Sequence, residues 1–415
     1  MLKNYLKIAL KVLLRRKFFT FISLFGISFT LVVLMVITAF LDHIFGPLPP
    51  ERKLDRTLGV FSVCIQSPDG RNTRTSAAGF GLLDRYVRTM STPEKVSVCT
   101  VPITANSYQN GQKTPLFLKR TDGEFWEILD FEFLEGNALT RDDEKNANFV
   151  AVINEATREK LFSGTSAVGK TVEVDGQNFR IVGVVKNVPI FRLTPFADVW
   201  VPHSTAKARP SDELSGNYLA IILGKNRGDL DQIKEEFQAR LSQVEFPDPK
   251  QFNTIISAAE TFFETVARGF FANDRTAGNY AAQLLAVVIF LMVLFMVLPT
   301  LNLVNINISR IMERASEIGV RKAFGASSWT LVGQFVVENL LLTLIGGAIG
   351  FVLAFLVLQM LTNTGLVQYA EFHMNYRIFL YGLSLAIFFG VFSGVYPAWK
   401  MSRLHPVIAL RGRSL

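Results

Sequence analysis

Residues 18–41 have the sequence FFTFISLFGISFTLVVLMVITAFL and contain no charged side chain. A helix needs about 20 mainly apolar residues to cross the roughly 30 Å hydrocarbon core of a bilayer, so this stretch is long enough to span a membrane. Three further stretches are equally apolar and uncharged: Leu284–Leu303, Leu340–Leu361 and Ile378–Ala398. The sequence therefore predicts an α-helical membrane protein with four transmembrane helices.

The first stretch follows a basic N-terminus, as the apolar core of a secretory signal peptide does. A signal core has about 7–15 residues and ends at a small-x-small cleavage site. The apolar run here continues to Leu41 without such a site. We therefore expect it to be a retained anchor.

The distribution of Lys and Arg predicts the orientation of the four helices. Residues 1–17, 305–330 and 398–415 contain 6, 4 and 4 basic residues against 0, 2 and 0 acidic ones, although the net charge of the whole chain is only +8. Basic residues near membrane ends favour the cytoplasmic side. Both termini and the 305–330 loop are therefore predicted to be cytoplasmic. Because membrane topology and anionic lipids explain the excess of basic residues, nucleic acid is not expected as a partner.

These assignments divide the chain into nine predicted segments. They are a cytoplasmic amphipathic interfacial helix (1–17), the first transmembrane helix (18–45), an extracytoplasmic domain (46–279), the second transmembrane helix (280–308), a cytoplasmic loop (309–330), the third transmembrane helix (331–361), a short external loop (362–377), the fourth transmembrane helix (378–398) and a cytoplasmic tail (399–415).

The N-terminal segment has Lys3, Lys7, Lys11 and Arg15 at every fourth position, with apolar residues over most of the remaining arc. This pattern is typical of an amphipathic helix in the membrane interface. A second interpretation, a simple positive topology signal, fits the same residues equally well.

The extracytoplasmic domain has a mixed α+β pattern. Leu58–Gln66, Gly79–Met90 and Val96–Val101 have the patterns of a strand, a helix and a strand, and the same order recurs at Asn217–Leu223, Leu230–Leu241 and Phe252–Ile256. Two β-α-β halves are therefore predicted, one near each membrane attachment.

The middle of this domain is richer in strands. Asn110-Gly111 separates two strand patterns, and Asp175-Gly176 separates two more. These dipeptides favour tight hairpin turns. The sequence predicts a small β-rich subdomain, at about 121–205, inserted between the two halves.

Residues 164–171, GTSAVGKT, satisfy the P-loop pattern. Phosphate binding requires a strand before this loop and a helix after it, so that helix N-terminal N–H groups face the phosphates. Here the preceding residues 155–162 have a helical pattern and a hairpin follows. We interpret the match as a turn that enters a β-strand, and we expect no nucleotide site in this chain.

The composition offers little for catalysis or metal binding. Four His and two Cys are scattered without metal-ligand spacing. Cys64 and Cys99 are predicted on the two outer strands of one β-α-β unit, which often have another strand between them. Free buried thiols are therefore favoured over a disulfide, although an extracytoplasmic location would permit oxidation. A non-catalytic chain is expected, without a metal or a cofactor of its own.

The predicted cytoplasmic loop and the helix after it carry the sequence IMERASEIGVRKAFGASSWTLVGQFVVE at Ile311–Glu338. This segment closely resembles the signature of the MacB/FtsX-type permease family, E-R-x-x-E-I-G-x-R-x-A-x-G-A. The nine matching positions are Glu313, Arg314, Glu317, Ile318, Gly319, Arg321, Ala323, Gly325 and Ala326. The C-terminal Tyr396–Arg411, and Phe125–Gly136 with Val150–Val185 in the outer domain, are also similar to the family.

The resemblance implies a role as the permease subunit of an ABC transporter. In such systems a dimer of permeases, alike or related, stands above two cytoplasmic ATPases that bind ATP and Mg²⁺. ATP-driven closure moves the outer domains, which is called mechanotransmission. The nine matching residues, together with Lys322, are then expected to contact the ATPase. MacB-type members have a fused N-terminal ATPase, whereas this sequence begins directly with the first span, so a separate ATPase subunit is expected.

Two functions follow from the resemblance. In the first, the chain belongs to the inner membrane and helps to export or extract a drug, a peptide or a lipoprotein, with a periplasmic adaptor and an outer-membrane duct as further partners. In the second, it is an FtsX-like signalling scaffold that regulates an external cell-wall hydrolase. The large outer domain favours the first, and the identity of the outer partner would decide between them.

The predicted orientation can be tested with single cysteines in a background that lacks Cys64 and Cys99. We expect Gln112→Cys and Arg227→Cys to react with a membrane-impermeant maleimide in intact cells, because both positions are predicted outside. Ser316→Cys and Gly412→Cys should react only after the cells are lysed. Labelling of position 316 or 412 in intact cells would contradict the orientation.

Overall fold

The structure is a computed structural model that describes residues 2–15, 17–109, 111–208, 213–272, 279–313, 320, 324, 327–366, 368–372 and 376–402. The chain forms two compact units. The helical unit comprises Met1–Leu41, Ala286–Leu366 and Phe372–Leu415, and the α/β unit comprises Asp42–Leu285 and Val367–Glu371.

The helices, in chain order, are α1 Leu2–Arg15, α2 Lys17–Phe45, α3 Phe80–Leu82 (continued by a π-helix, Leu83–Val87), α4 Gly123–Ile128, α5 Arg141–Lys145, α6 Glu155–Phe162, α7 Leu230–Leu241, α8 Phe262–Phe271, α9 Ala281–Glu313, α10 Ser328–Asn363 and α11 Tyr376–Ser402. The strands are β1 Thr57–Val60, β2 Val63–Gln66, β3 Thr73–Ala78, β4 Lys95–Thr100, β5 Ile103–Gln109, β6 Gln112–Thr121, β7 Phe133–Gly136, β8 Val150–Asn154, β9 Thr171–Val174, β10 Gln177–Val185, β11 Val199–Pro202, β12 Ser215–Gly216, β13 Tyr218–Leu223 and β14 Thr254–Ser257.

All four predicted apolar stretches lie in helices, namely α2, α9, α10 and α11. Two helices are long and apolar enough to cross a membrane, α2 and the Val332–Asn363 part of α10. Only 33% of the apolar window of each is buried, whereas a core helix of a soluble protein is mostly buried. The described apolar parts of α9 and α11, Ala281–Phe295 and Phe379–Phe388, are shorter. Four crossings therefore stay a prediction.

Small residues allow α2 and α10 to approach closely. A Cβ atom on Gly346 would lie 2.9 Å from the Ile27 side chain, and one on Gly350 would lie 3.1 Å from Leu31. Glycines four residues apart commonly form such contacts between membrane helices. In this structure the glycines pack within a single chain.

Helix α1 is amphipathic, as the sequence predicts. Ala9 and Leu13 are buried, whereas Lys7, Lys11 and Arg15 are exposed. The helix contacts α10. Its location in the membrane interface stays a prediction.

The first sheet of the α/β unit contains both predicted β-α-β halves. Strand β13 lies between β1 and β4 and is antiparallel to both. Strand β2 lies between β3 and β14, again antiparallel. The chain runs from β1 and β2 through α3 to β4, and from β13 through α7 to β14, which is a split β-α-β arrangement. The residues that helix periodicity predicts for the core of this layer are buried, among them Leu82, Val87, Ile233 and Phe237.

Two details of this sheet bear on the sequence predictions. The predicted single strand 58–66 is interrupted at Phe61 and Ser62, so that β1 pairs with β13 and β2 pairs with β14. Cys64 and Cys99 are free and buried, which confirms the prediction of free thiols. Burial raises the pKa of the Cys99 thiol to about 12.

The second sheet has the order β5-β6-β11-β8-β10-β7, with β9 also paired to β10. It mixes parallel pairs, β6 with β11 and β8 with β10, with antiparallel ones. Both predicted hairpins, β5-β6 and β9-β10, are present. The sheet begins at Ile103, so the predicted boundary of the β-rich subdomain near 121 is too late. The reason is the pairing of β6 with the distant β11, which sequence periodicity does not indicate.

The glycine at the end of β7 is required by the fold of the second sheet. Gly136 has a φ of +66°, and a Cβ atom there would lie 2.0 Å from the carbonyl oxygen of Val182. Gly111, in the β5-β6 turn, also has a positive φ of +76° but faces open space.

These two glycines provide a matched pair of variants. Gly111→Ala adds only the strain of a left-handed backbone, about 1–2 kcal/mol of unfolding free energy. Gly136→Ala adds the same strain and a collision with backbone, so we expect a clearly larger fall in the melting temperature of the purified chain. Equal melting temperatures for the two variants would contradict the close contact between β7 and β10.

Candidate functional site: the coupling segment and the junction at the end of α2

The sequence-predicted coupling residues lie mostly outside the described residues. This applies to Arg314, Glu317, Ile318, Gly319, Arg321, Lys322, Ala323, Gly325 and Ala326. Glu313 is the last residue of α9. The contacts of these side chains, and the ATPase-contact role predicted for them, therefore stay predictions.

The described neighbours of this segment show where it begins and ends. Helix α9 leads into it, and α10 follows it with Ser327 as the N-cap, whose side chain accepts a hydrogen bond from the Thr330 N–H. Between them, the Phe324 N–H donates to the Val320 carbonyl at 3.1 Å. Phe324 is 88% exposed and Val320 46% exposed. Two exposed apolar side chains thus lie among the basic residues.

Polar residues are buried in the first half of α10. Gln334, Glu338 and Asn339 are at most 8% exposed, and Thr343 donates to the Asn339 carbonyl at 2.9 Å. Ionisable groups within apolar helices are costly and commonly mark functional positions. Sequence reasoning did not single them out, although Gln334 and Glu338 are one helical turn apart.

A second candidate region lies where α2 ends, and Arg192 is its centre. Its guanidinium donates to the carbonyl groups of His43 at 3.1 Å, Gly46 at 2.8 Å and Leu48 at 3.3 Å. The last carbonyls of a helix have no partners within the helix, so they need donors from outside. Arg192 supplies one to the His43 carbonyl in the last turn, and it also contacts the Gly46 and Leu48 carbonyls just beyond the helix. A cation at a helix C-terminus also interacts favourably with the helix dipole.

Arg192 is itself buried, with 1% of its side chain exposed, and Glu51 balances its charge at 2.9 Å. Burial raises the pKa of the Glu51 carboxyl, and the nearby charges of Arg192 and Lys119 oppose that rise. Removing one member of a buried ion pair generally destabilises a protein by about 3–5 kcal/mol, because the other charge is left without a partner.

Lys119 holds the segment that carries Arg192. This segment, residues 186–198 between β10 and β11, is the junction loop. The Lys119 ammonium donates to the carbonyls of Leu193, at 2.9 Å, and Thr194. It is fully buried and lies over the Phe125 ring, 5.8 Å from the centroid. Burial lowers the pKa of Lys119.

Aromatic side chains bind the end of α2 to the start of α8. The Phe45 ring lies 5.9 Å from Phe262 and 5.1 Å from Phe263, and Phe61 packs on Phe262. Helix α8 begins with a capping box formed by Thr261 and Glu264. The segment that enters the α/β unit from α2 and the segment that leaves it towards α9 are therefore packed together.

Residues 368 and 369 also contact the junction loop. In the segment that follows α10, the Tyr369 hydroxyl donates to Asp198 at 2.8 Å, and the Gln368 carbonyl accepts from the Ile190 N–H at 3.3 Å. Asp198 also accepts from Asn154. Burial, assisted by the Asp198 charge, raises the pKa of Tyr369 to about 12. The junction loop thus contacts both the end of α2 and residues 368–371.

A cavity of about 320 Å³ lies beside this junction. Its walls include Phe45, Phe262 and Phe263 on the apolar side and the pair of Glu51 and Arg192 on the polar side. Within the described part of the chain, no cluster of His, Cys, Asp or Glu has the arrangement of a metal site. The contacts of the junction hold the end of α2, the junction loop and the start of α8 together.

The P-loop-like residues 164–171 fold as the sequence predicts. They follow α6 and precede β9, in the order helix, turn and strand. Gly164 has a φ of +72° at the end of α6, and the Lys170 ammonium donates to Thr165 at 2.8 Å. A helix C-terminus faces this turn, which is the end of a helix that disfavours anions.

Comparison with known proteins identifies both units. The family model of the MacB-like periplasmic core domain matches residues 20–240, slightly more than half of the chain, and that of the FtsX-like permease C-terminal region matches residues 289–406. The macrolide export ATP-binding/permease protein MacB of Pasteurella multocida is 25% identical over 69% of this chain and 41% of its own length. The pyoverdine export ATP-binding/permease protein PvdT of Pseudomonas fluorescens is 26% identical over 87% of this chain and 53% of its own length.

The chain spans about half the length of the curated relatives that it matches. Among solved structures, the periplasmic region of MacB from Actinobacillus actinomycetemcomitans matches 52% of this chain and 94% of its own, with 16% identity and a TM-score of 0.37. The extracellular domain of the transporter YknZ matches 45% of this chain and 93% of its own, with 17% identity and a TM-score of 0.36. The first family model covers more than half of the chain, and the second covers most of the remainder. The chain therefore belongs to the MacB/FtsX-type family of ABC transporter permeases.

Proposed function

We propose that this permease transmits conformational change from a cytoplasmic ATPase to its α/β unit, and that this movement exports or extracts a substrate on the outer side of the membrane. The observation that carries the proposal is the junction at the end of α2. Helix α2 is unbroken over 29 residues, and its last turn is held by Arg192 in the α/β unit. An axial or tilting movement of α2 therefore acts directly on the junction loop.

The coupling segment would receive the force. Glu317 stands four residues before Arg321, the favourable order for a helical ion pair. An exposed pair of this kind contributes only about 0.3–0.5 kcal/mol, so we assign it a role in positioning. Gly319 would allow a close approach of the ATPase, and Gly325 would end the helix. The exposed Phe324 supplies an apolar contact on the same segment.

The matched relatives support export over signalling. Two of them are named as exporters, of macrolides and of pyoverdine. We propose that two copies, or this chain and a related permease, act together above the ATPases, and that ATP and Mg²⁺ bind to the ATPases only. The substrate class stays open among drugs, peptides and lipoproteins.

The coupling segment can be tested by two substitutions. We expect Glu317→Lys and Gly319→Trp each to abolish transport and to weaken co-purification of the ATPase, because they reverse a charge or block close approach. Insertion into the membrane and the melting temperature of the α/β unit should not change. The control is Glu245→Lys, the same charge reversal at an exposed position of the α/β unit. Wild-type transport and ATPase binding in either coupling variant would contradict the proposed contact.

The junction can be tested separately by removing both charges. In Arg192→Met with Glu51→Leu no buried charge of the pair is left alone, and such apolar replacements are often neutral for stability. The third buried charge, Lys119, keeps its bonds to the carbonyls of Leu193 and Thr194. We expect the chain to fold, but the end of α2 loses its hydrogen bonds to the junction loop. ATP should then produce a smaller change in the distance between spin labels at position 112 of the two copies, and transport should fall.

The matched control is Arg158→Met, which breaks a partly buried pair with Glu135 elsewhere on the second sheet. This variant should respond to ATP like the wild type. If the junction double variant also shows the full distance change and wild-type transport, force does not pass through Arg192.

A further inference from the structure

The tip of the junction loop presents two large apolar side chains to the outside of the α/β unit. Ile190 is 36% exposed and Phe191 is 42% exposed, directly before the buried Arg192. The rest of each side chain is covered by its surroundings. Transfer of the exposed apolar parts from water to an apolar environment would be favourable.

The loop is held in this conformation on both sides. The Arg192 N–H donates to the Pro189 carbonyl at 3.0 Å, and the Phe196 N–H donates to the Arg192 carbonyl at 2.9 Å. The Trp200 indole N–H donates to the Pro195 carbonyl at 3.1 Å. These bonds fix the loop, so the two apolar side chains are kept outward rather than folded into the core.

The contacts of the loop connect it to the last turn of α2 and to residue 368. Arg192 contacts the carbonyl of His43, which is two residues beyond the uncharged run that ends at Leu41. The Ile190 N–H contacts Gln368, five residues after the end of α10. Residues 190 and 191 are therefore joined, through Arg192, to the residues that directly follow the apolar run of α2.

We propose that Ile190 and Phe191 insert into the interface of the outer leaflet and contact lipid. Two adjacent side chains cover too little area for a specific protein interface, which needs about 800 Å² on each partner, but amphipathic and aromatic groups enter the lipid interface readily. Lys186 and Arg52, with side chains 60% and 56% exposed, both pair with Glu132 near this loop. The inference uses the proposed crossing of the membrane by α2, and does not depend on coupling to an ATPase.

The test uses nitroxide labels on the full-length chain in vesicles of phosphatidylethanolamine and phosphatidylglycerol. Phe191→Cys, and Ile190→Cys as an independent neighbour, report on the loop tip. Phe29→Cys is the reference within α2, where Phe29 is 52% exposed. Tyr108→Cys is the control, since Tyr108 is 56% exposed and pairs with Lys113, six residues and about 20 Å along β6 from Lys119. The wild-type chain is the blank, because Cys64 and Cys99 are buried.

Collision rates with oxygen, which concentrates in lipid, and with a water-soluble nickel chelate are compared at each label. We expect oxygen to dominate at positions 29, 190 and 191, and the chelate to dominate at 108. Labels at 190 and 191 that behave like 108 would overturn the inference while leaving the crossing by α2 intact. Labels at both tip positions that are shielded from both reagents would overturn it in favour of a protein contact, such as a second copy. A label at 29 that is accessible to the chelate would overturn the crossing itself, and the lipid contact with it.

Discussion

The carbonyl groups at the C-terminal end of α2 impose the constraint on which the arrangement of the junction depends. The last carbonyls of a helix have no partners within it, and Arg192 supplies a donor to the His43 carbonyl in the last turn and to the Gly46 carbonyl just beyond the helix. Because the guanidinium is buried there, it needs the carboxylate of Glu51. The loop that carries Arg192 must also keep its conformation, and Lys119 fixes it through two of its carbonyls. The need for a donor at the end of α2 thus explains why Arg192, Glu51 and Lys119 are all buried here.

Charged groups suit this position better than apolar ones for a physical reason. A buried ion pair adds little net stability compared with well-packed apolar residues, but it has few low-energy arrangements. Apolar contacts, such as the ring cluster of Phe45, Phe262 and Phe263, tolerate sliding, whereas the bonds of Arg192 fix the register of α2 against the loop. We therefore infer that the ring cluster holds the end of α2 against α8, and that the charged groups fix the position of α2 along the junction loop.

Local patterns in the sequence predicted much of the fold. The uncharged runs gave the helices α2, α9, α10 and α11, and the Asp175-Gly176 dipeptide gave the β9-β10 turn, where both residues have positive φ. The junction could not be predicted in this way, because Arg192 and Glu51 are 141 residues apart and the other partners of Arg192 are main-chain carbonyls. The signature around Glu317 was found by its resemblance to a family, and its contacts lie outside the described residues. The boundary near 121 was wrong because parallel pairing of β6 with β11 has no local pattern.

The buried polar face of α10 has a consequence for the biogenesis of the protein. Gln334, Glu338 and Asn339 are hidden from solvent by the rest of the chain, but they would face lipid if α10 entered the bilayer alone. An acidic residue within an inserting segment raises the free energy of insertion by up to about 2.5–3.5 kcal/mol on translocon scales. The apolar residues from Leu340 to Leu361 offset part of that penalty, and packing of the polar face against other helices removes it. Helix α10 is therefore expected to leave the translocon together with neighbouring helices. The order in which the helices are synthesised then affects whether this chain assembles correctly.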